Sequence, residues 1–323
     1  MKSGNISSIS WLRATAVIFI LLCHLVVQFP NVYITMLGQF FNVGVHIFIL
    51  ISGFLFGMKG ISDAQKWIMK RFKRIFIPFW VFLIILFIIT TLSNAFISVK
   101  DWMLIIFGMQ GSSVGVLGAE HTWYISTILL CYLITPGLDK VYVKVENDSR
   151  FKKIATLVLF TLPIVFACFD SPSVYTLLSP ITLYIFGYVL GNKYDQVRTE
   201  HPIKYLLGLF IMFSIRIGSK MLFDDTILYD RIIVFYTQSG IAILLLMLFN
   251  TLFQNKQTNC CIDFINKYSY EIYLVHYMFI VGPITLMNIT SNWFINSSIV
   301  IVVSFVLAVI VQKISDIFAK KIK

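Results

Sequence analysis

The sequence predicts an all-α protein, a polytopic membrane bundle of about ten transmembrane helices with both termini cytosolic. Three observations carry this. Of the 323 residues, 58% are hydrophobic and only 13% charged, against roughly 25% charged in an ordinary soluble domain. Apolar runs of about 20 residues recur along the chain, each long enough to cross ~30 Å of hydrocarbon as a helix. Lys and Arg concentrate on one side of the runs so defined.

The first span, 9–29, reads ISWLRATAVIFILLCHLVVQF. It follows MKSGNIS, a short lead-in with no small-residue cleavage site after it, so a retained span is expected rather than a removed signal peptide. The second, 34–57, ends in ISGFLFG, whose small residues allow close helix approach. The third, 76–97, follows KWIMKRFKR and holds Pro78 near its start. Residues 98–120 are expected to form a short interfacial or re-entrant helix in DWMLIIFG, then a flexible glycine-rich loop in GMQGSSVGVLGAE on the outer side. The remaining spans are placed at 121–136, 154–169, 174–191, 203–221, 232–253, 268–287 and 294–312. No repeat or low-complexity tract interrupts them, and one domain over 1–323 is expected.

With the N-terminus inside, the inner loops and tails hold 21 of the 26 Lys and Arg. These are Lys2, six in 58–74, five in 137–153, three in 192–204, two in 254–267 and four in the tail. The outer loops hold Lys100, Lys220 and Arg231, and Arg13 and Arg216 lie within spans. The formal charge of +11 is therefore a topology signal, with anionic lipid head groups as its partner. A nucleic-acid partner is not expected. Cys23, Cys131, Cys168, Cys260 and Cys261 show no metal or redox spacing. The last two fall in an inner loop, where thiols stay reduced.

Ionisable side chains within spans cost several kcal/mol if unpaired, so each is a candidate for function. Arg13 and His24 are eleven residues apart, about 1100° of helical rotation, which sets both on one stripe roughly 16 Å apart along the axis. Arg13 reads equally as an interfacial anchor. In NVGVHIFILISGFLFG, Asn42 and His46 share a face, either as a packing seam or as part of a site. Lys70, Arg71, Lys73 and Arg74 crowd the start of the third span, as a topology anchor or a phosphate site. Glu120 and His121 open the fourth span, where an acceptor would arrive or where an interfacial pair would sit. Trp123 and Tyr124 read as aromatic-belt or packing residues. His276 and Glu271 lie in the ninth span and Arg216 in the seventh. As supporting-site candidates, His276 is expected to hydrogen-bond within the site, Glu271 either to pair with Arg or Lys or to do chemistry, and Arg216, in the outer half of its span, to contact an anionic acceptor or a lipid phosphate.

These pieces together resemble the membrane acyltransferase 3 family of O- and N-acyltransferases. The matching residues are Arg13 with His24, NVGVHIFILISGFL, RFKR before IFIP as an Arg-x-x-Arg, HTWYIS with Tyr132 and Pro136, and SYEIYLVH at 269–276. They run in order from residue 9 to about 280, and the chain resembles the stand-alone membrane form of the family. The resemblance implies that Arg13, Arg71 and Arg74 hold the phosphates of acyl-coenzyme A and that His24 is catalytic. Guanidinium forks suit phosphates, and the pantetheine arm of about 15–20 Å matches the Arg13-to-His24 offset. A neutral His24 would take a proton from an acceptor hydroxyl or accept the acyl group itself. The expected donor is acetyl-coenzyme A, the acceptor a hydroxyl of a cell-surface glycan or lipid-linked sugar, with no metal. An Ile-, Lys- and Asn-rich composition favours a bacterial plasma membrane. The rival reading is a transporter or flippase for lipid-linked polysaccharide. A transporter of that kind is expected to show internal two-fold repeats with paired broken helices, and none is found.

Overall fold

In a computed structural model, residues 7–110, 115–169, 171–194 and 200–321 are described, and among them every regular element is a helix. The middle of the expected glycine-rich loop, 111–114, lies outside the described residues. Helix α1 (Ser7–Val26) runs up the centre. Next comes α2 (Val32–Gly38), opened by Asn31, whose side chain accepts from the amides of Tyr33 and Ile34. A 3₁₀ turn (Gln39–Phe41) leads into α3 (Gly44–Gly57). The second apolar run is thus a broken helix. At the break, the carbonyls of Gln39 and Asn42 accept from the side chains of Arg216 and Gln238 at 2.9 Å each.

Helix α4 (Ala64–Leu92) starts twelve residues before the expected span, because Asp63 caps it by accepting from the Lys66 amide at 3.0 Å. Those hydrogen bonds, first to the Lys66 backbone and then to its side chain, hold the Asp63 carboxyl below its usual range. The basic cluster therefore rides on the helix. At 29 residues α4 is about 44 Å long, well beyond a ~30 Å hydrocarbon layer. The short helix α5 (Val99–Ile106) lies back against α4, where the Trp80 indole donates to the Ile106 carbonyl at 3.0 Å.

The chain continues through α6 (Trp123–Asn147), α7 (Ser149–Ala167), α8 (Pro172–Asn192) and α9 (Pro202–Phe223). A π-helical turn (Leu228–Ile233) enters α10 (Val234–Phe253), followed by α11 (Cys260–Lys267), α12 (Ser269–Ile280) and α13 (Trp293–Lys321). Cys260 and Cys261 open helix α11 rather than lying in a loop. The helix expected over 268–287 stops at Ile280. Residues Gly282 and Pro283 follow, and the irregular segment beyond is tied down by the buried Asn296 of α13, which bonds both Thr290 and the Met287 carbonyl. Twelve residues reach only about 18 Å.

Among the described residues seven helices are long and apolar enough to cross a membrane: α1, α2 and α3 together, α4, α8, α9, the π turn with α10, and α13. Helices α6 and α7 have the length, but charged residues occupy the last part of one and the first turns of the other.

The closest packing is between α3 and α8. A Cβ on Gly53 or Gly57 would stand 2.0 Å from the carbonyl oxygen of Tyr184 or Tyr188. On the facing helix, a Cβ on Gly187 or Gly191 would stand 2.4 or 2.0 Å from that of Leu50 or Phe54. Two Gly-x-x-x-Gly faces thus meet backbone to backbone. The sequence reading had noted the small residues of α3 and missed their counterparts in α8.

Candidate active site

Helix α1 joins two polar regions. Near its start, Arg13 lines a cavity of about 1930 Å³ together with Arg71 and Arg74 of α4. The two α4 arginines are three residues apart, so one helical face presents both. The guanidinium of Arg71 lies over Phe56 and Trp67, 4.6 and 5.5 Å from their ring centres, a stacking that fixes the planar fork. Its Nε is buried without a partner. Arg13 donates from Nη1 to Oδ1 of Asn266 at 2.9 Å, and Arg74 stands exposed at the rim. Among the described residues no carboxylate forms an ion pair with any of the three. The opposite wall carries Glu271 and Asp316, and hydroxyl-bearing Ser52, Tyr124, Tyr132 and Tyr270 line the interior. Helix α13 closes the side through Gln312, Ser315 and Ala319.

The lining of the cavity reaches Ile20, Tyr124 and Tyr273. Ile20 is one turn before His24 on α1. Next to Tyr273 three imidazoles meet from three elements: His24 of α1, His121 of the 3₁₀ turn Glu120–Thr122, and His276 of α12. Ring centres of His24 and His276 are 5.3 Å apart, His121 and His276 5.1 Å, and His24 and His121 6.5 Å. Tyr277 packs edge-on to His24 at 4.8 Å and lies 4.9 Å from His121.

One carbonyl organises two of these rings. The Tyr273 backbone oxygen lies 2.8 Å from Nε2 of His121 and 2.8 Å from Nδ1 of His276. A carbonyl only accepts, so both nitrogens carry the proton. In the neutral rings this leaves Nδ1 of His121 and Nε2 of His276 as bare lone pairs, and both atoms are buried without a partner. The Tyr273 hydroxyl in turn donates to the His121 carbonyl. His24 and Tyr277, half-buried, form the more open edge of the cluster. No group of three His, Cys, Asp or Glu among the described residues is arranged to hold a metal.

The other candidates separate. Glu120 accepts from the Gly118 amide at 2.9 Å, tying the turn that presents His121. Glu271 is buried in the cavity wall, within electrostatic reach of Arg74 and Asp316. His46 packs 5.8 Å from Phe235 and joins neither region. Arg216, 4% exposed, lies against the Gln39 turn.

Sequence reasoning missed Asn266, Tyr273 and Tyr277. The last two sit at i, i+4 within SYEIYLVHY and so share the face that carries His276, a signal that was present. Tyr124, read as belt or packing, lines the cavity and packs 5.4 Å from Tyr273.

The chain belongs to the acyltransferase 3 family: the family model, described as an acyltransferase domain, matches residues 6–312. Membership makes the protein a membrane acyltransferase in general terms, with an acyl donor and an acceptor, and the seven apolar helices agree with a multi-pass membrane protein. No curated protein and no solved structure matches the chain.

Proposed function

We propose that this single transmembrane domain transfers an acetyl group from cytosolic acetyl-coenzyme A to a hydroxyl of a cell-surface glycan or lipid-linked sugar in a bacterial plasma membrane. The observation that carries the reading is the pairing, along one helix, of an arginine-lined cavity at Arg13 with a cluster of three imidazoles at His24. In this reading Arg13, Arg71 and Arg74 hold the donor phosphates, a charge-assisted exchange in which an anionic oxygen replaces the neutral Asn266 amide on Arg13. The pantetheine arm runs along α1 and brings the thioester to His24. His24 takes the proton of the acceptor hydroxyl, whose oxygen attacks the thioester carbonyl. The tetrahedral intermediate collapses by expelling the coenzyme A thiolate, which receives the proton back from His24. His121 and His276 hold the far side of the cluster in fixed tautomers.

The topology in the proposal has both termini cytosolic and ten crossings, with α6, α7 and the α12 segment adding to the seven apolar helices. A cytosolic cavity mouth follows from the charge asymmetry of the loops. Incubation of the purified protein with radiolabelled acetyl-coenzyme A, with and without lipid-linked glycan, tests the proposal. Label is expected in the glycan only when both are present. Transbilayer movement of glycan without label transfer would favour the flippase reading instead.

A further inference from the structure

The other buried cation, Arg216, has surplus capacity to bind. Its Nη2 donates to the Gln39 carbonyl at 2.9 Å, while Nη1 is buried and has no hydrogen-bond partner. The guanidinium stands 5.3 Å from the Phe40 ring centre, and Cys23 and His46 lie within its electrostatic reach. Among the described residues no carboxylate forms an ion pair with it. Three acids stand near this end of α9: Asp224 pairs with Lys220 at 3.7 Å instead, and Asp230 lies within electrostatic reach of Lys220, Asp224 and Asp225. A guanidinium removed from water without a counter-ion is strongly disfavoured, and five N–H donors are more than the Gln39 carbonyl and the neighbouring Tyr229 hydroxyl can use.

A second cation stands one turn further along α9. Lys220 donates to Oε1 of Gln39 at 3.0 Å, so Gln39, a neutral and exposed residue, is a partner shared by both positive groups. Displacing that side chain and its turn opens Arg216, and beside it Lys220 with its Asp224 partner, at i, i+4 spacing. Around them α9 presents Ile211, Ile215, Met221 and Leu222 outward, an apolar surface at which a hydrocarbon tail can lie.

We propose that Arg216 and Lys220 form an anion site for the phosphate of a membrane amphiphile, independent of the acyl-transfer reading. A phosphate oxygen takes the positions now held by the Gln39 carbonyl and amide oxygen, and the tail follows the outer face of α9. Carrier-lipid phosphates and phospholipid head groups share this chemistry. The experiment measures binding of a polyprenyl phosphate to the full chain in phosphatidylcholine nanodiscs by native mass spectrometry. Parallel arms use the unphosphorylated polyprenol, or replace part of the phosphatidylcholine with phosphatidylglycerol. Wild type is expected to bind the phosphate at least about tenfold more tightly than Arg216→Gln, the minimum for a lost charge-assisted contact, with Lys220→Gln intermediate. If Arg216→Gln does not fold, Arg216→Lys, which keeps the charge and loses the fork, is expected to weaken binding by a similar factor. Competition by phosphatidylglycerol would assign the site to general phospholipid, and its absence to a carrier lipid, and both uphold the anion site. Equal binding of polyprenol and its phosphate, or wild-type affinity in every variant, would overturn it. The second outcome would leave Arg216 as no more than the staple of the break before α3.

Discussion

At Arg13, α1 meets a cavity of about 1930 Å³ in which three guanidinium groups lack any carboxylate partner among the described residues. Eleven residues on, at His24, the same helix meets two further imidazoles whose protons are committed to a single backbone carbonyl. The first region holds its polar groups by contacts that a ligand can replace: a neutral amide on Arg13, aromatic faces on Arg71. The second fixes which nitrogen carries the proton in His121 and His276 and holds those two rings against His24. Binding charge calls for the first arrangement, and moving one proton reproducibly calls for the second.

The largest expected effect lies at the imidazole end. His24→Ala should lower turnover by about 10²–10⁴-fold, the usual loss of a general base, with normal protein level and insertion. Retention of more than a tenth of wild-type turnover would detach His24 from the chemistry and break the comparison at its sharper end.

At the arginine end, Arg13→Ala, Arg71→Ala or Arg74→Ala should each weaken acyl-coenzyme A binding by about 1.5–3 kcal/mol, roughly 10–150-fold. Acceptor affinity should stay near normal. If these arginines only anchor topology, donor affinity would be unchanged and the defect would appear as misinsertion. Lysine at 71 or 74 keeps the charge and loses the planar fork, so insertion should be normal and binding only partly restored. Calorimetry returning wild-type affinity for both lysine variants would sink the bidentate assignment.

Smaller still is Tyr273→Phe. It deletes the hydroxyl bond to the His121 carbonyl while keeping the backbone oxygen that orders both rings. Stability should fall by about 1 kcal/mol, read as a lower melting temperature, with turnover within about tenfold of wild type. A loss as large as that of His24→Ala would mean that the phenol itself takes part in the reaction. The smallest effect separates the regions by solvent. Raising salt from low to physiological strength should weaken donor binding at the open mouth, where the Debye length is about 10 Å or less, and leave saturated turnover unchanged.

The Arg13–His24 stripe was legible because it depends on one helix and one rotation angle. The encounter of His24 with His121 and His276 was not, since residues 24, 121 and 276 are joined only by the packing of α1 on α12 and by the bond from His121 to the Tyr273 carbonyl. The role of Tyr273 was harder still to read, because its decisive atom is a carbonyl oxygen that every residue possesses. Hydropathy placed the apolar runs well yet overextended 268–287, where Gly282 and Pro283 mark the stop. It also missed the break after Gln39, whose cause is a pair of side chains, Arg216 and Gln238, far away in sequence. The basic cluster at 70–74 was taken to precede its span. Asp63 at the N-cap was the available sign that the helix had already begun.

The glycine contact between α3 and α8 has a mechanical consequence. With carbonyl oxygens seated where side chains would otherwise stand, neither helix can turn or slide past its neighbour without steric collision, so the pair behaves as one rigid post. Phe56 and Gly57 of α3 and Gly191 of α8 form one wall of the cavity, and that wall is the stationary jaw. The α12 and α13 parts of the lining contain no glycine and meet their neighbours without such a contact, and any widening that admits a donor falls to them.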